Sequence, residues 1–261
     1  MAKNDKLILS HITKSFSDGK NQLDVIKDFT HTVKEQESVV ILGPSGCGKS
    51  TLLKIAGGII DASSGEIILN GVNYKTQIPK EALKTFGFVF QTSNLLHWRT
   101  VAGNLLFTLE VMRLKGKEWT DRVDEILDIV GLLQYKEVFP HELSGGMKQR
   151  VAVARALVHN PEILILDQSF GALDAITRKM LSFEVLKIHQ ATNKTMLMVT
   201  NNVPEAVLLA SRVLVLSNKP TEIVKEISVD IPFEERVPEI YADSRFLEYC
   251  SEINSVIRDN M

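Results

Sequence analysis

The sequence predicts an α/β fold that contains a parallel sheet and an inserted helical segment. Short apolar runs such as "SVVILG", "EILILD", "TMLMVT" and "RVLVLS" are typical of strands buried on both faces. Helical stretches at roughly 174–190 and 203–210 separate the last three runs, an alternation that favours right-handed crossovers between parallel strands. Between residues 92 and 155 the apolar spacing is helical instead, so we expect a helical insertion there.

The remaining elements follow from shorter patterns. The first ninety residues are mostly strand-like, with the runs "KLILSHI", "VIKDFTHTV" and "FGFVFQ". The run "EIILNG" ends in Asn70-Gly71, a strong hairpin turn. Helical spacing in "EWTDRVDEILDIVGL" predicts an ordinary core-facing stripe, and "SRFLEYCSEINSVI" predicts a short amphipathic helix near the C-terminus.

Composition limits the classes of function. The chain has 261 residues, of which 44% are hydrophobic, and a net charge of −2, which gives no strong field for nucleic acid or lipid. Cys47 and Cys250 lie far apart, so we expect no structural disulfide and a reducing compartment. The start "MAKNDKLILSH" lacks an apolar signal region, and no apolar run approaches the roughly 18 residues that cross a bilayer. We therefore expect a cytosolic chain that reaches a membrane through a partner.

A glycine-rich stretch, "GPSGCGKST", matches the phosphate-loop pattern G-x-x-x-x-G-K-[ST]. Glycines allow consecutive backbone N–H groups to surround phosphate oxygens, and the helix that follows adds positive potential. Lys49 is expected to reach the β- and γ-phosphates, and the Ser50 hydroxyl to ligate Mg²⁺. A chance turn is the alternative, but a strand before the loop and a helix after it favour phosphate binding. The predicted nucleotide-binding residues here are Gly43, Pro44, Ser45, Gly46, Cys47, Gly48, Lys49, Ser50 and Thr51.

A second acidic strand end completes the expected phosphate chemistry. The run "ILILD" ends at Asp167, whose carboxylate can hold Mg²⁺ directly or through water. Apolar strands often end in aspartate, so this pattern gains weight only from the phosphate loop earlier in the chain. Kinases, GTPases and motors share both features, so together they name no function.

The stretch "ELSGGMKQRVAVARALVHNPEILILD" narrows the class, because "LSGGMKQR" resembles the signature of ABC ATPases. Phosphate-loop kinases and GTPases lack this element. The resemblance implies a head-to-tail dimer in which the signature of one subunit closes over the ATP of the other. The residues implied in that contact are Ser144, Gly145, Gly146 and Gln149.

Other motifs resemble the same family in the same order. Phe16 in "TKSFSDG" resembles the aromatic that stacks on adenine, although an ordinary aromatic at a strand end is the alternative. Gln91 resembles the glutamine that links the γ-phosphate and metal to the helical subdomain, and Asp174 in "GALD" resembles the D-loop. "LLHWRTV" and the tail "LSNKPTEIVKEISVDIP" are most similar to importers of the nitrate, sulfonate, taurine and thiamine-precursor type.

This resemblance implies a single nucleotide-binding domain, over residues 1–261, with the P-loop NTPase fold. A RecA-like core with an antiparallel β subdomain is expected at 1–91 and 156–217, a helical subdomain at 92–155 and a C-terminal extension at 218–261. It also implies ATP and Mg²⁺ as ligands, with Ser50, Gln91 and Asp167 at the metal. The implied partners are transmembrane permease subunits, a second ATPase subunit and a solute-binding protein, at the cytoplasmic face of the membrane.

A permease helix is further implied in a groove that includes Gln91, Leu95, Leu96 and Trp98. Trp98 is alternatively a core residue, since a tryptophan in a loop is often buried.

The chain departs from the family at two predicted catalytic positions. The family has Glu-Pro after the metal aspartate, where this chain has Gln168-Ser169, and it has His-Asp where this chain has Asn201-Asn202. A glutamine is a very poor base, and loss of a general base costs about 10²–10⁴ in rate. We therefore expect binding without efficient hydrolysis at this chain's own site.

This expectation has two alternatives. Deliberate replacement of a glutamate would account for Gln168 but not for the changes at 169, 201 and 202. In the second alternative, positioning and metal electrostatics carry enough of phosphoryl transfer to tolerate both changes. The favoured interpretation is a heterodimer, rather than a homodimer, in which this chain lends its signature to a competent partner.

Two further classes compete with a transporter subunit. DNA-repair ABC proteins separate their halves with long coiled coils, and translation factors carry two cassettes in one chain; neither feature is present in this sequence. A catalytically inert regulatory protein that switches with nucleotide is the second competing class, and hydrolysis with and without a partner distinguishes it.

Overall fold

The computed structural model describes residues 4–17, 19, 21–171 and 174–260. The strands are β1 (Asp5–Ser17), β2 (Gln22–Lys34), β3 (Ser38–Leu42), β4 (Ser64–Leu69), β5 (Val72–Asn73), β6 (Phe86–Val89), β7 (Ile163–Asp167), β8 (Thr195–Val199), β9 (Arg212–Leu216) and β10 (Ile223–Ser228). The helices are α1 (Lys49–Ala56), α2 (Val101–Val111), α3 (Lys117–Ile129), α4 (Gly145–Leu157), α5 (Ala175–Thr192), α6 (Val203–Leu209) and α7 (Ser244–Asp259).

The chain forms two compact units, residues 1–83 with 193–261 and residues 84–192. The first unit contains an antiparallel sheet in the order β2-β1-β4-β5. Its β4–β5 turn has Asn70 and Gly71 at φ 52° and 77°, so the predicted Asn-Gly hairpin is confirmed, because both turn residues adopt the left-handed conformation that this turn requires.

The first unit also contains three of the predicted parallel strands, β3, β8 and β9. Every residue of β3 is buried, and β3 lies between β8 and β9 with Val40 opposite both Met198 and Val213. Such burial on both faces explains why these runs are uninterrupted β-branched and aliphatic residues. The carboxyl ends of β3 and β8 therefore emerge side by side, and this arrangement positions the loops that follow them.

The second unit combines the parallel pair β6–β7 with helices α2 to α5. Helix α4 packs against β6 and against α2, α3 and α5, because its buried face consists of small and aliphatic residues from Val151 to Leu157. The predicted core stripe of α3 is confirmed at Val123, Ile126 and Leu127, which are all buried.

The α/β class, with its parallel and antiparallel strands, is thus confirmed, while the boundaries at 92, 155 and 218 stay predictions. The amphipathic helix near the C-terminus is α7. The extension also contains β10, antiparallel to β9, which the sequence did not predict. Cys47 and Cys250 are both free and buried, in agreement with the absence of a disulfide expected from the sequence.

Candidate nucleotide-binding site

The predicted phosphate loop joins the buried strand β3 to helix α1. Two of its glycines have positive φ, 77° at Gly46 and 122° at Gly48. A Cβ at Gly48 would lie 2.8 Å from Val25 Cγ1 and 2.9 Å from Thr221 Oγ1, whereas at Gly46 it would meet nothing within 4 Å. Glycine is therefore required at residue 48 both by conformation and by space.

Lys49 is the first residue of α1 and is only 3% exposed. Its Nζ donates hydrogen bonds of 2.7 Å to the carbonyl oxygens of Gly43 and Pro44, and Cys47 Sγ lies 3.9 Å away. The loop thus folds back over its own lysine and holds the ammonium group at one place. An anion that enters the loop finds a desolvated cation, which binds phosphate more strongly than an exposed one.

The other loop residues surround this cation. Cys47 is buried, Ser45 and Gly46 are exposed, and Ser50 and Thr51 in the first turn of α1 are half-buried. Exposed glycine backbone beside a helix N-terminus is a favourable site for phosphate oxygens.

Thr221, a residue that the sequence analysis did not identify, holds the phosphate loop in place. Thr221 is completely buried, and its hydroxyl lies within hydrogen-bonding distance of the carbonyl oxygens of Cys47 and, at 2.9 Å, Val25. The Thr221 amide also donates to Val25 O over 3.0 Å. The connection between β9 and β10 thereby fixes the middle of the phosphate loop. No sequence pattern marks Thr221, because its partners are backbone atoms 174 and 196 residues away.

Asn201 lies beside the phosphate loop at the carboxyl edge of the parallel strands. Ile41 pairs with Val199, and the amide of Thr200 donates to Ile41 O over 3.2 Å. Asn201 follows directly and is exposed, so its side chain is available to a ligand in the neighbouring loop.

Asn202 has a structural explanation. Its Oδ1 accepts a 2.8 Å hydrogen bond from the amide of Glu205 and caps the N-terminus of α6. Asparagine and aspartate cap helices about equally well, so the departure from the family at this position preserves the local structure. Of these two positions, the predicted loss of hydrolysis therefore concerns only Asn201.

Phe16 is exposed on the β1–β2 hairpin. Its side chain is 46% exposed, its register partner Leu23 is 51% exposed, and Lys14 Nζ lies 5.0 Å from the centre of its ring. A ring with an open face is suited to stacking, and its adenine role stays a prediction.

In the second unit, Asp167 ends β7 and is 6% exposed. Gln168 follows with φ 45°, and its carbonyl oxygen accepts a 3.0 Å hydrogen bond from the amide of Gly171. Ser169 is buried, and its hydroxyl donates to Val89 O over 3.2 Å. The hydroxyl of the serine that replaces the family proline thus has a hydrogen-bond partner within the fold.

Gln91 is exposed shortly after β6. Asp174 caps α5, since its Oδ1 accepts hydrogen bonds from the amides of Ile176 and Thr177 over 3.1 and 3.0 Å. Hydrogen bonds from Thr177 lower the pKa of the Asp174 carboxyl. Residues 172 and 173 of the predicted D-loop lie outside the described residues.

The predicted signature lies at the N-terminus of α4. Ser144 is exposed and caps the helix, with its hydroxyl accepting a 3.2 Å hydrogen bond from the amide of Met147. Gly145 is also exposed, and a Cβ at Gly146 would lie 3.0 Å from Thr177 Cγ2.

Gln149 is buried in α4, and its predicted role in the signature stays a prediction. The residue is 5% exposed and its amide donates to Phe90 O over 3.5 Å. Gln149 therefore lies on the buried face of α4.

The second unit also contains a groove of about 280 Å³. It is lined by Phe88, Phe90, Phe107, Thr108, Val111, Met112, Arg155, Ala156 and His159. Val111 is 65% exposed on one wall. On the other side, Arg155 donates to Asn94 O and Ser93 O over 2.7 and 2.8 Å, which fixes the loop after β6 to α4.

This lining differs from the predicted groove of Gln91, Leu95, Leu96 and Trp98. Leu95 is buried at 6% exposure because it joins the core, which corrects the prediction for that residue. Trp98 is 73% exposed, so the alternative that it is a core residue is wrong. The loop around Trp98 is held by the buried Asn104, whose amide group bonds to Leu96, Arg99 and Thr100 main-chain atoms.

The profile of the ABC transporter family matches residues 26–171, more than half of the chain. The chain is 38% identical over 256 residues to an uncharacterised ABC transporter ATP-binding protein of Methanocaldococcus jannaschii, covering 98% of this chain and 92% of the relative. It is 44% identical over 220 residues to the aliphatic sulfonates import ATP-binding protein SsuB of Bacillus licheniformis, covering 84% and 83%. It is also 36% identical to the nitrate import ATP-binding protein NrtD of Synechocystis, covering 97% and 95%.

Solved structures agree with these relatives. A dimeric bacterial ABC transporter cassette superposes with a TM-score of 0.74 at 31% identity, covering 87% of this chain and all of the other. A dimeric post-hydrolysis state of an ATP-binding cassette, bound to ADP and Pi, gives 0.73 at 31% identity over the same shares. The fold and the loop define a P-loop ATP-binding cassette. This chain belongs to the ABC transporter ATP-binding family.

The residues present fit Mg-ATP. The loop offers a buried lysine held at a glycine-rich helix N-terminus, which suits a triphosphate. The described residues contain no cluster of three or more His, Cys, Asp or Glu side chains that could enclose a metal. Mg²⁺ does not need such a cage, because it is usually held by one or two protein oxygens together with phosphate and water. Within the described part of the chain, no helix combines the length and apolarity required to cross a membrane.

Proposed function

We propose that this chain is the ATP-binding subunit of an ABC importer of a small solute. The observation that carries the proposal is the buried Lys49, whose ammonium is held by the carbonyl oxygens of Gly43 and Pro44 inside the glycine loop. The import function is supported by relatives named as sulfonate, nitrate and taurine import proteins. The chain then works at the cytoplasmic face of the membrane with permease subunits and a solute-binding protein.

In this function the loop residues bind and orient the triphosphate. The loop N–H groups surround phosphate oxygens, and Lys49 exchanges its loop carbonyls for the β- and γ-phosphates. Phe16 stacks on the adenine. Ser50, Gln91 and Asp167 hold Mg²⁺, which neutralises charge on the phosphate oxygens when bound.

We propose that this site holds ATP without cleaving it efficiently. The Gln168 side chain is neutral and cannot take a proton from water, and the Asn201 amide cannot make the charge-assisted contact that a histidine provides. The hydrogen bonds of Ser169 and Asn202 support this assignment, because they make those two neighbouring departures structurally harmless. The chemical loss is therefore confined to Gln168 and Asn201.

The working unit is proposed to be a heterodimer with a second, competent cassette. Ser144 caps the start of α4, and Ser144 and Gly145 are exposed there, as a contact with the phosphates of a partner's ATP requires. A pair of identical chains would contain no general base at either site, so it could not turn over at a useful rate. The signature of this chain would instead close over the partner's ATP, with Asp174 at the same contact.

The groove of the second unit is proposed to receive a short cytoplasmic helix of the permease. Phe107 and Val111 line an apolar concavity, and the rigid loop beside it presents Trp98 to solvent. Aromatic and aliphatic side chains held in a preformed concavity suit the apolar face of a helix.

A Lys49→Ala variant tests the central proposal. Calorimetric titration of the purified chain with Mg-ATP should detect binding to the wild type and little or none to the variant, since the buried cation is lost. Lys54→Ala is a matched control, because Lys54 lies in the last turn of the same helix, away from the loop. Equal ATP affinity in wild type and Lys49→Ala would refute the site. Bound ATP with no hydrolysis in any complex would favour an inert regulatory protein.

A further inference from the structure

A buried arginine of the C-terminal extension is bonded to the main chain of the first unit. Arg236 is 3% exposed. Its guanidinium donates to Val207 O, Leu208 O and Ala210 O over 3.1, 2.8 and 2.8 Å, and to Ile231 O over 2.7 and 3.0 Å. The ring of Phe233 lies 4.2 Å from the guanidinium carbon. Among the described residues, the acceptors shown for this cation are backbone carbonyl oxygens.

These carbonyls belong to the C-terminal end of α6. The last four carbonyls of a helix have no partner within it, and a cation there also meets the negative end of the helix dipole. Arg236 donates hydrogen bonds to the carbonyl oxygens of Val207, Leu208 and Ala210. The hydroxyl of Ser38 donates to the carbonyl oxygen of Leu209. The C-terminal end of α6 is therefore fully bonded, mostly by one side chain of the extension.

The rest of the extension packs onto the same helix. Helix α7 packs against α6, and its buried residues are Phe246, Cys250 and Ile253. Tyr241 packs edge-on against Phe246 with ring centres 5.2 Å apart, and burial raises its pKa to about 12. The extension thus holds α6 by an apolar face as well as by Arg236.

The N-terminal end of α6 holds Asn201. Asn202 caps the helix, and Glu205 in its first turn accepts a hydrogen bond from the Thr200 hydroxyl. The Asn202 amide in turn donates to Thr200 Oγ1 over 3.1 Å. Both neighbours of Asn201 are consequently tied to the start of a helix of only seven residues. A rigid displacement of so short a helix moves both of its ends.

We propose that Arg236 is a positioning residue that sets where Asn201 stands relative to the phosphate loop. The path runs from the guanidinium through the carbonyls of α6 to Glu205, Thr200 and Asn201. Asn201 then lies beside the loop, because Thr200 N donates to Ile41 O one strand away. The inference rests on the proposed function, since it assumes that the loop binds a nucleotide triphosphate.

The bonding of Arg236 favours a positioning role over simple attachment of the tail. Burial of a guanidinium costs free energy that a buried aliphatic side chain would not incur. An apolar residue could attach the extension to α6, but it could not hold three helix carbonyls in fixed directions. Nη1 donates to all three of these carbonyls while Nε and Nη2 donate to Ile231 O, so opposite sides of one planar guanidinium join the extension to the end of α6.

The test compares a triphosphate with a diphosphate. The full chain is titrated with the Mg²⁺ complexes of the β,γ-imido analogue of ATP and of ADP. Because Asn201 would meet only the terminal phosphate, Arg236→Met should lower triphosphate affinity about 3- to 10-fold, the range for one hydrogen bond, and leave ADP affinity within about twofold. Arg236→Lys, which keeps the charge but loses the fork, should show a smaller loss and remains informative if the methionine variant does not fold.

Three further variants complete the design. Asn201→Ala should reproduce the loss of Arg236→Met, and the double variant should lose no more than either single change. Arg245→Ala is the matched control, because Arg245 lies in the same extension but is half-exposed and pairs with Asp243 and Glu235. Equal losses for both nucleotides, additive losses, or an unchanged ratio in Asn201→Ala would each overturn the inference. Absence of nucleotide binding in the wild type would refute the proposed function itself.

Discussion

The hydroxyl of Thr221 lies within hydrogen-bonding distance of the carbonyl oxygen of Cys47, in the middle of the phosphate loop. The contact joins two parts of the chain that are 174 residues apart. Together with the bond from Thr221 to Val25 O, it fixes the loop against the β9–β10 connection. The shape of the loop is therefore set partly from outside its own motif.

Removal of this hydroxyl should weaken nucleotide binding. Thr221→Val leaves the Cys47 carbonyl without its donor, and we expect a loss of about 1 kcal/mol, which is about fivefold in ATP affinity. Thr221→Ser keeps the hydroxyl and should bind nearly as well as the wild type. Fluorescence titration with a labelled ATP analogue measures both. A serine variant as weak as the valine variant would show that the hydroxyl is not what stabilises the loop.

Restoration of the two missing groups should raise hydrolysis. Gln168→Glu supplies a base and Asn201→His supplies a contact to the γ-phosphate, so the double variant should hydrolyse ATP about 10²-fold faster or more. Each single change should give much less, because the two groups position one water and act as a unit. Phosphate release from the purified chain is the measurement. A wild-type turnover near one per second, the low end of ordinary enzymes, would contradict the degenerate-site proposal.

Substitutions should act across the proposed heterodimer. Ser144→Arg places a long side chain where the partner's γ-phosphate would lie, so it should abolish transport in the assembled system. Ser144→Ala is the control for the lost helix cap, which costs about 1 kcal/mol, and should retain most activity. Gln168→Ala should change transport little. Strong loss in Gln168→Ala with little effect of Ser144→Arg would reverse the assigned roles of the two sites.

The groove of the second unit should govern assembly with the permease. Val111→Asp introduces a charge on its exposed wall. Trp98→Ala removes the exposed ring next to Arg99, whose guanidinium lies 5.2 Å from the centre of the Phe107 ring in the groove. Both should reduce co-purification with the permease while ATP affinity stays unchanged, since neither side chain belongs to the core. Leu133→Asp adds the same charge to a partly exposed residue outside the groove and should assemble normally. Equal defects in Val111→Asp and Leu133→Asp would argue against a specific groove.

Acid should destabilise the first unit through His31. This residue is buried, and desolvation, assisted by Arg212 and opposed by Glu226, lowers its pKa from 6.5 to about 4. Because the folded pKa is the lower one, the unfolded chain binds the extra proton first, and stability falls as pH drops from 6.5 towards 4. Between pH 7 and pH 5 the loss from this group is about 2 kcal/mol. Denaturant unfolding should show that His31→Gln lacks this component; an identical pH dependence in both proteins would exclude His31.

The sequence predicted those parts of the fold and site that depend on local pattern. Uninterrupted apolar runs identified β3, β7, β8 and β9, and the loop motif located Lys49 within its strand-helix context. Sequence patterns did not predict the burial of side chains whose position depends on tertiary contacts. Leu95 is buried in the core and Trp98 is exposed, although both lie in the same short loop of mixed polar and apolar residues. Asn104 in α2 determines this difference, because its side chain is hydrogen-bonded to the main chain of that loop.

Longer-range relationships were beyond such patterns. Strand β10 alternates only weakly, so its pairing with β9 is visible only in three dimensions. Arg236 lies in a C-terminal extension that is rich in acidic residues, and no pattern in the sequence around it predicts that its side chain is buried against α6. Family motifs identified Asn201 and Gln168 as departures. They could not show that Asn202, unlike Asn201, has a structural role, because the helix cap formed by Asn202 is visible only in the structure.

The burial of Cys250 in α7 has a practical consequence for labelling. Burial raises the pKa of its thiol to about 11, so very little of the reactive thiolate is present at pH 7. Cys47, at 2% exposure, is shielded by the folded phosphate loop. The two thiols of the native protein should therefore react very slowly with maleimides. A single cysteine introduced at His97, the exposed neighbour of Trp98, could therefore carry a spectroscopic probe, and its signal would report permease docking without removal of either natural thiol.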